Sequence, residues 1–309
     1  MSSRRWFIVF LGMVGAAFAV HFGWTFPWSR TLELLTECDL GLLTAAGLVN
    51  IVSLTAKASA WYVLLGRAAP LRIWTAQTAT FVGAAVNSVS ISISGDVVRA
   101  QIASERDTVP FGVSAAALVV SRVVEAVALF GLVALAWVVF PLGRGWRISG
   151  VALLLLLAAF VFWWGRTPGE PEDPFVVKGW RGELTGFIAR TRGRTASAVG
   201  CAMLSWLGQW LTYFWSIRAT HVDVSPAGAL AGLLAANLAG VLRLTPGNLG
   251  VMQGSLILGM RAFGVRPGDA LAGGLALQAI QVLPILAIAT ALAGRRGLRR
   301  LSQRRSEAV

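Results

Sequence analysis

Two polar, glycine-bearing stretches interrupt long apolar regions and constrain the fold of this chain more than any other feature. They cover residues 94–100 (SGDVVRA) and 244–250 (LTPGNLG). Lipid offers no hydrogen-bond partners, so non-helical backbone persists in a bilayer only inside protein or beside a wet cavity. Paired interruptions in the two halves of a membrane protein are typical of a transport site.

The apolar composition predicts a membrane protein. Only 13% of the residues are charged and 56% are hydrophobic, whereas a soluble domain carries about 25% charged residues. Apolar runs near the roughly 20 residues that a span needs recur along the chain. We therefore predict an all-α, polytopic membrane protein with six to eight transmembrane helices, forming one integral membrane domain over residues 1–309.

The order of the apolar runs refines this prediction. Arg4-Arg5 and the following run resemble a signal peptide, but apolar character continues to Phe26 and favours an uncleaved first helix. We predict broken or re-entrant segments near 74–100 and 228–263, and a weak inverted repeat. The remaining features are a hydrophilic loop at 165–195 and an Arg-rich tail at 294–309. The predicted unbroken spans run over 40–65, 111–140, 148–164, 196–217 and 270–293.

The charge distribution favours a membrane orientation over nucleic-acid binding. The net charge is +13, and the basic residues are nearly all Arg, lying between apolar runs and at the C-terminus. Residues 67–72 carry +2 and 294–309 carry +5, whereas 27–39 carry −2. Because positive loops stay cytoplasmic, we expect cytoplasmic termini in a bacterial inner membrane.

Two pairs of charged residues share a spacing of three, which places each pair on one helix face. Asp96 and Arg99 form the first pair, and such an Arg can grip a lipid phosphate bidentately. The alternative is an interfacial helix start with a snorkelling Arg. Arg122 and Glu125 lie inside an apolar run, where each charge costs about 2.5–3.5 kcal/mol. We favour a transport pathway over a purely structural ion pair.

The second polar stretch predicts a helix start aimed into the protein. A helix that begins after the Pro246-Gly247 break would direct its N–H groups toward an anionic headgroup; the alternative is an ordinary surface turn. Gly95 and Pro246 are the predicted breaks, and Asp96 and Glu125 the predicted orienting or coupling residues. The predicted headgroup-binding residues are Arg99, Arg122, Arg243, Gly247, Asn248, Gly250 and Gln253. Weaker candidates, which suit helix–helix hydrogen bonds, are Asn50, Lys57, Gln209, Gln278 and Gln281.

The sequence lacks the motifs of common catalytic sites. It has no G-x-x-x-x-G-K-[ST], H-E-x-x-H or G-x-S-x-G motif and no spaced Cys/His cluster. These absences argue against ATP hydrolysis and against metal or serine hydrolysis. We expect no cofactor, no metal and no enzymatic activity.

Three short motifs in order carry a family resemblance: Gly95-Asp96…Arg99, Arg122…Glu125 and Pro246-Gly247…Gly250. They resemble the lysylphosphatidylglycerol synthase transmembrane-region family, also described as flippase-like integral membrane proteins. The chain departs from the family pattern at residues 90–94, where the family often has Pro, at Ser121 and at Asn248. Larger members carry a soluble aminoacyl-transferase domain, which we expect this protein to lack, so we do not expect synthase activity from the resemblance.

We therefore expect a flippase-like protein that binds an anionic lipid or lipid-linked precursor and translocates it. The alternative is an accessory or scaffold protein of an envelope lipid or glycolipid pathway, working with a membrane synthase partner. A third possibility is an intramembrane enzyme with Asp96 and Glu125 as its catalytic pair.

Overall fold

The computed structural model describes residues 28–66, 68–90, 94–140, 144–166, 180–240, 245, 248 and 250–306. Within these residues the chain forms eleven α-helices and no strand, which confirms the predicted all-α class. The predicted first helix and the candidates Arg243, Pro246 and Gly247 lie outside the described residues. The helices are α1 (Trp28–Thr36), α2 (Leu40–Leu65), α3 (Ile73–Val89), α4 (Ser94–Asp107), α5 (Phe111–Val139), α6 (Arg144–Arg166), α7 (Trp180–Thr191), α8 (Thr195–Arg218), α9 (Pro226–Gly240), α10 (Val251–Arg261) and α11 (Pro267–Ser306).

Three of the described helices are long and apolar enough to cross a membrane. They are α2, α5 and the Pro267–Leu292 part of α11, and shorter apolar segments occupy Arg147–Trp163 and Pro226–Gly240. The chain is therefore a polytopic helical membrane protein, and the count of six to eight crossings stays a prediction.

Helices α2 and α8 form an antiparallel pair at the centre of the bundle. The Asp39 N–H at the start of α2 donates to the Ala219 carbonyl just after α8, at 2.8 Å. Farther along, the Ser53 hydroxyl donates to the Ser205 carbonyl, also at 2.8 Å. A Cβ on Gly208 would lie 2.9 Å from the Ser53 Cβ, so this glycine permits the close approach that membrane helices use for packing.

A helical hairpin follows each member of that pair. Helices α3 and α4 form the first hairpin, after α2, and α9 and α10 form the second hairpin, after α8. Because α2 and α8 are antiparallel, the two hairpins enter the bundle from opposite ends. The 11 residues of α10 extend only about 16 Å, well short of the roughly 30 Å hydrocarbon core. The predicted broken segments are thus confirmed as pairs of short helices.

The connection between α6 and α8 differs from the sequence expectation. The predicted hydrophilic loop at 165–195 contains α7 and a short 3₁₀ turn over Arg192–Arg194, so the loop prediction is wrong there. The physical reason is Phe187, which is 1% exposed and packs in the apolar core around the first hairpin. The Arg-rich tail continues α11 as helix to Ser306.

Candidate functional site

The tips of both hairpins line one cavity of about 640 Å³. Ser90, the residue that follows α3, lies on one side of the cavity. Thr245 and Asn248, from the connection between α9 and α10, lie on the other side. A second cavity of about 220 Å³ adjoins it and shares part of its wall. The ionisable side chains that line the larger cavity, among the described residues, are Lys57, Arg122, Glu125 and Tyr213, and the carboxamides are Asn87, Gln209, Asn237, Asn248, Gln278 and Gln281.

A chain of ion pairs joins α2, α4 and α5 at the cavity wall. Glu125 lies at the midpoint of α5, and its Oε2 accepts from Lys57 Nζ at 3.0 Å and from Arg122 Nη1 at 3.2 Å. Arg122 Nη2 in turn lies 2.5 Å from Asp96 Oδ2. Residues far apart in sequence therefore share one electrostatic network.

Two cations of this network, Lys57 and Arg122, line the cavity and are more exposed than the carboxylates. The Arg122 side chain is 45% exposed, whereas the Glu125 side chain is 13% exposed. Counting Arg99 with Lys57 and Arg122, three cations face two carboxylates, so 3 − 2 leaves a charge of +1. This excess positive charge favours an anion at the exposed guanidinium.

Close packing of two glycines holds the charged tip of the first hairpin in place. A Cβ on Gly83 would lie 2.6 Å from the Gly95 carbonyl oxygen, so α3 and α4 touch through their backbones here. The Gly95 N–H donates to Asn87 Oδ1 at 3.0 Å. Together these contacts set the start of α4, where Asp96 reaches Arg122.

Arg99 lies behind the cavity instead of lining it. Its side chain is 4% exposed, its Cζ is 4.7 Å from the centroid of the Trp61 ring, and its Nη1 is 3.7 Å from Asp96 Oδ1. Arg99 is therefore not among the residues that line the cavity, and its contact with a headgroup stays a prediction. Because it is buried against Asp96, its position suits holding that carboxylate.

The second hairpin uses its polar groups internally. The Gly250 N–H donates to Gln253 Oε1 at 2.7 Å, and Gln253 Nε2 donates to Gln278 Oε1. The Asn248 N–H donates to the Thr245 carbonyl at 3.1 Å. The Gly250 N–H is thus already bonded and Gln253 is 4% exposed, and headgroup contacts from these two residues stay a prediction. Asn248, whose own backbone φ is 55°, does line the cavity.

Carboxamides continue the polar wall between α2, α8 and α11. Gln209 Nε2 donates to Asn50 Oδ1 and to Ser53 Oγ, both at 3.0 Å, and Gln281 Nε2 donates to Gln209 Oε1 at 3.0 Å. These bonds agree with the helix-joining role expected of such residues. The wall also includes Trp206, whose indole N–H donates to the Glu125 carbonyl at 2.8 Å.

Sequence reasoning ranked one central residue too low and missed two others. Lys57 was a weaker candidate, although a lysine inside an apolar span was a usable signal. Asn237 and Trp206 were not proposed, because single Asn and Trp residues are common in membrane helices and carry little signal by themselves.

The described residues offer no metal site and no pair of adjacent free carboxylates. No group of three or more His, Cys, Asp or Glu side chains in this part of the chain is placed to hold a metal ion. Asp96 and Glu125 are each bonded to Arg122, which lies between them. The arrangement therefore suits binding of an anion better than general acid–base chemistry.

Comparison with protein families confirms the family expected from the sequence. No curated protein matches the chain significantly. The sequence model of the family described as lysylphosphatidylglycerol synthase TM region matches residues 9–289, which include both hairpins and the cavity. The chain therefore belongs to the lysylphosphatidylglycerol synthase TM region family.

Proposed function

We propose that this protein binds an anionic lipid or lipid-linked precursor in the larger cavity and moves it across the bacterial inner membrane without hydrolysing ATP. One observation carries the proposal: Lys57 and Arg122 line a cavity between two hairpins that enter from opposite ends. The family supports a membrane protein of lipid modification or transport.

The Arg122 guanidinium supplies the headgroup contact. It has five N–H donors, and its ion pairs use Nη1 for Glu125 and Nη2 for Asp96. Its exposed edge retains donors for a phosphate, which guanidinium groups bind with fork geometry. Lys57 adds a second cation beside the same carboxylate.

The antiparallel placement of the hairpins suits access from both leaflets. Each tip ends at the cavity, so a shift of one hairpin opens the cavity toward one end of the bundle. Transporters with broken helices commonly alternate access in this way around a fixed central site.

Lipid exchange in reconstituted vesicles tests the proposal. We would place a fluorescent phosphatidylglycerol analogue in both leaflets and follow its quenching by external dithionite, with and without an imposed pH gradient. Arg122→Gln should slow the protein-dependent rate about tenfold or more, because it removes a charge-assisted bond of the transported anion. Arg218→Gln is the matched control, since Arg218 pairs with the exposed Asp223 outside the cavity.

Two outcomes would reject transport through this cavity. Equal rates for wild type and Arg122→Gln, with both proteins folded, would remove Arg122 from the mechanism. Absence of any exchange by wild type, together with stoichiometric co-purification of a membrane lipid synthase, would favour the accessory role.

A further inference from the structure

An apolar groove lies on the outer side of the bundle, away from the larger cavity. It consists of two adjoining cavities of about 540 Å³ and 180 Å³ between α5, α6 and α8. Both cavities are lined by Val127, Val161 and Val199, so they form one continuous groove. We infer that this groove holds one acyl chain of an anionic phospholipid, with its headgroup at the Arg-rich connection between α7 and α8.

The groove and the larger cavity occupy different faces of the same two helices. On α5, Gly131 lines the groove and Leu129 lines the larger cavity. On α8, Met203 lines the groove and Trp206 lines the larger cavity. The described lining residues of the two sites do not overlap. The inference therefore does not rest on the proposed transport site.

The walls of the groove suit an apolar occupant. Apart from Thr195 and two glycines, every described lining residue has an aliphatic, aromatic or thioether side chain. Apolar cavities do not hold water, and an empty groove of this size would forgo the dispersion contacts that its walls can make. In a bilayer, the apolar groups available to fill it are lipid chains and other helices.

The length of the groove decides between these two occupants. Its lining residues on α5 run from Val119 to Gly131, which corresponds to a rise of about 18 Å. The hydrocarbon of one leaflet is about 15 Å thick, whereas a helix that spans the bilayer covers about 30 Å. The groove therefore matches one acyl chain, and it is too short for a spanning helix of this chain or of a partner.

The groove is open along its outer edge. Three of its lining side chains, Val119, Val123 and Phe162, are 54%, 52% and 58% exposed. An acyl chain can therefore enter sideways from the bilayer without any movement of the helices.

Basic residues mark one end of the groove. Ile188 of α7 and Thr195 of α8 line that end, and residues 190–194 between them (RTRGR) contain three arginines and no acid. Helix α6 also ends on an arginine, Arg166. Arginines at a membrane surface attract anionic lipids. A phospholipid whose phosphate lies among them directs its acyl chains along the groove.

This end of the bundle is the one that we expect to face the cytoplasm. A Cβ on Gly66 would lie 2.9 Å from Arg194 Nη1, so the start of α8 lies beside the end of α2. Helix α2 leads into residues 67–72, whose charge of +2 favours a cytoplasmic location. With this orientation, the bound phospholipid belongs to the cytoplasmic leaflet.

Photo-labelling from the acyl chain tests the inference. The full chain would be reconstituted in phosphatidylcholine vesicles with a trace of phosphatidylglycerol that carries a diazirine midway along one acyl chain. Labelled positions would be mapped by mass spectrometry. We expect the label at the groove, around Val127, Val161 and Val199, and much less on the outward-facing Leu155 and Leu156 of α6.

A second photolipid tests the charge of the headgroup. The same diazirine chain on phosphatidylcholine should label the groove about fivefold less, as the loss of one arginine–anion attraction at the surface would give. Equal labelling by the two reagents would overturn the anionic headgroup.

Variants that fill the groove test its location. Ala158→Phe on α6 and Ala196→Phe on α8 each place a ring in the groove. Each should lower the labelling about tenfold, as the loss of roughly ten carbon–carbon contacts would give. Ala159→Phe is the matched control, because Ala159 is also exposed on α6 and does not line the groove.

The outcomes separate this inference from the proposed function. Equal labelling of the groove and of the outward-facing leucines would mean ordinary solvation by the bilayer and would overturn the site. Labelling that survives both filling variants in folded protein would also overturn it. Arg122→Gln should leave the labelling unchanged, and a loss of labelling in that variant would place the lipid in the larger cavity instead. None of these results depends on whether the protein exchanges lipid between leaflets.

Discussion

The two hairpins line the same cavity from opposite ends of the bundle, yet they differ in chemistry. The first hairpin contributes Asp96, which bonds Arg122 and faces the buried Arg99. The second hairpin brings neutral amides, with Asn237 and Asn248 at the cavity and Gln253 inside the protein. One hairpin therefore helps to fix the charge of the site, and the other offers neutral hydrogen-bonding groups.

This difference indicates that the charged first hairpin is held rigidly while the neutral second hairpin is freer to move. Asp96 of the first hairpin is ion-paired with Arg122 of α5, so displacing the hairpin would leave both of these charges without that partner inside the membrane protein. The bonds of the second hairpin are between neutral groups and cost less to exchange. We therefore expect the second hairpin to open more readily than the first, and to tolerate substitution of its polar groups better.

The largest expected effect comes from a methyl group at the glycine contact of the first hairpin. Gly95→Ala would place a Cβ against the Gly83 carbonyl oxygen and the Asn87 side chain, where backbone cannot give way. We expect a loss of about 3 kcal/mol or more, seen as low yield of monodisperse protein and a lower thermal midpoint by tryptophan fluorescence.

A matched glycine exists in the second hairpin. A Cβ on Gly254 of α10 would meet nothing within 4 Å, and alanine raises helix stability by about 0.5–1 kcal/mol. Gly254→Ala should therefore fold as well as wild type or slightly better. Equal damage from both substitutions would contradict the packing difference between the hairpins.

The next largest loss of stability is expected from removing the carboxylate of Asp96, which Arg99 and Arg122 share. Asp96→Asn leaves Arg99, 4% exposed, without its carboxylate and removes one partner of Arg122. Breaking a fully buried pair costs about 3–5 kcal/mol, and the 45% exposure of Arg122 reduces the expected cost to about 2–3 kcal/mol.

A second substitution identifies the cause. Adding Arg99→Met to Asp96→Asn should recover part of the lost stability, because the uncompensated buried charge is gone. Glu105→Gln on the exposed side of α4 should change the midpoint little. If Asp96→Asn is no worse than this control, burial of charge is not what holds the first hairpin.

Removing a neutral partner from the second hairpin should cost less. Gln253→Leu deletes the bonds to the Gly250 N–H and to Gln278, and we expect a loss of about 1–2 kcal/mol. A double-mutant cycle with Gln278→Leu should show that the two losses are not additive. A cost above that of Asp96→Asn would reverse the comparison.

Much of the fold could be predicted from the sequence, because apolar run length and composition decide which segments become helices in lipid. The predicted span 40–65 coincides with α2, and 111–140 with α5 to within one residue. Helix α7 could not be predicted in this way. This helix is stabilised by burial of Phe187 against helices that are distant in sequence. The polar, proline-rich stretch before it gives no indication of that contact.

The site could be predicted only where its contacts are local. The spacing of Arg122 and Glu125 predicted their pairing, which lies within one helix turn. The bond from Lys57 to Glu125 spans 68 positions of sequence and depends on how α2 packs against α5. The burial of Arg99 under Trp61 likewise depends on packing between helices. A single sequence contains no record of such long-range contacts.

The smallest expected effect lies at the base of the first hairpin, where Asp107 ends α4. Its Oδ2 accepts from the Arg72 N–H and its Oδ1 from Arg72 Nε, both at 2.7 Å, and the carboxylate is 3% exposed. Burial raises the pKa of Asp107, but the backbone and side-chain bonds from Arg72 outweigh it and hold the pKa below its ordinary value.

Because the pKa of Asp107 is lowered, the bonds between Arg72 and Asp107 should be sensitive to acid. The folded state binds the Asp107 proton more weakly than the unfolded state does. The Asp107 carboxylate therefore contributes fully to the free energy of unfolding above the pKa that it has in the unfolded state. That contribution is lost as the pH falls through the pKa of the folded state. We expect Asp107→Asn to lower the free energy of unfolding by about 1 kcal/mol at pH 7. The difference between wild type and variant should shrink toward zero below the ordinary carboxyl range, in paired thermal melts across pH. A difference that persists unchanged in acid would mean that the side chain acts through packing and not through its charge.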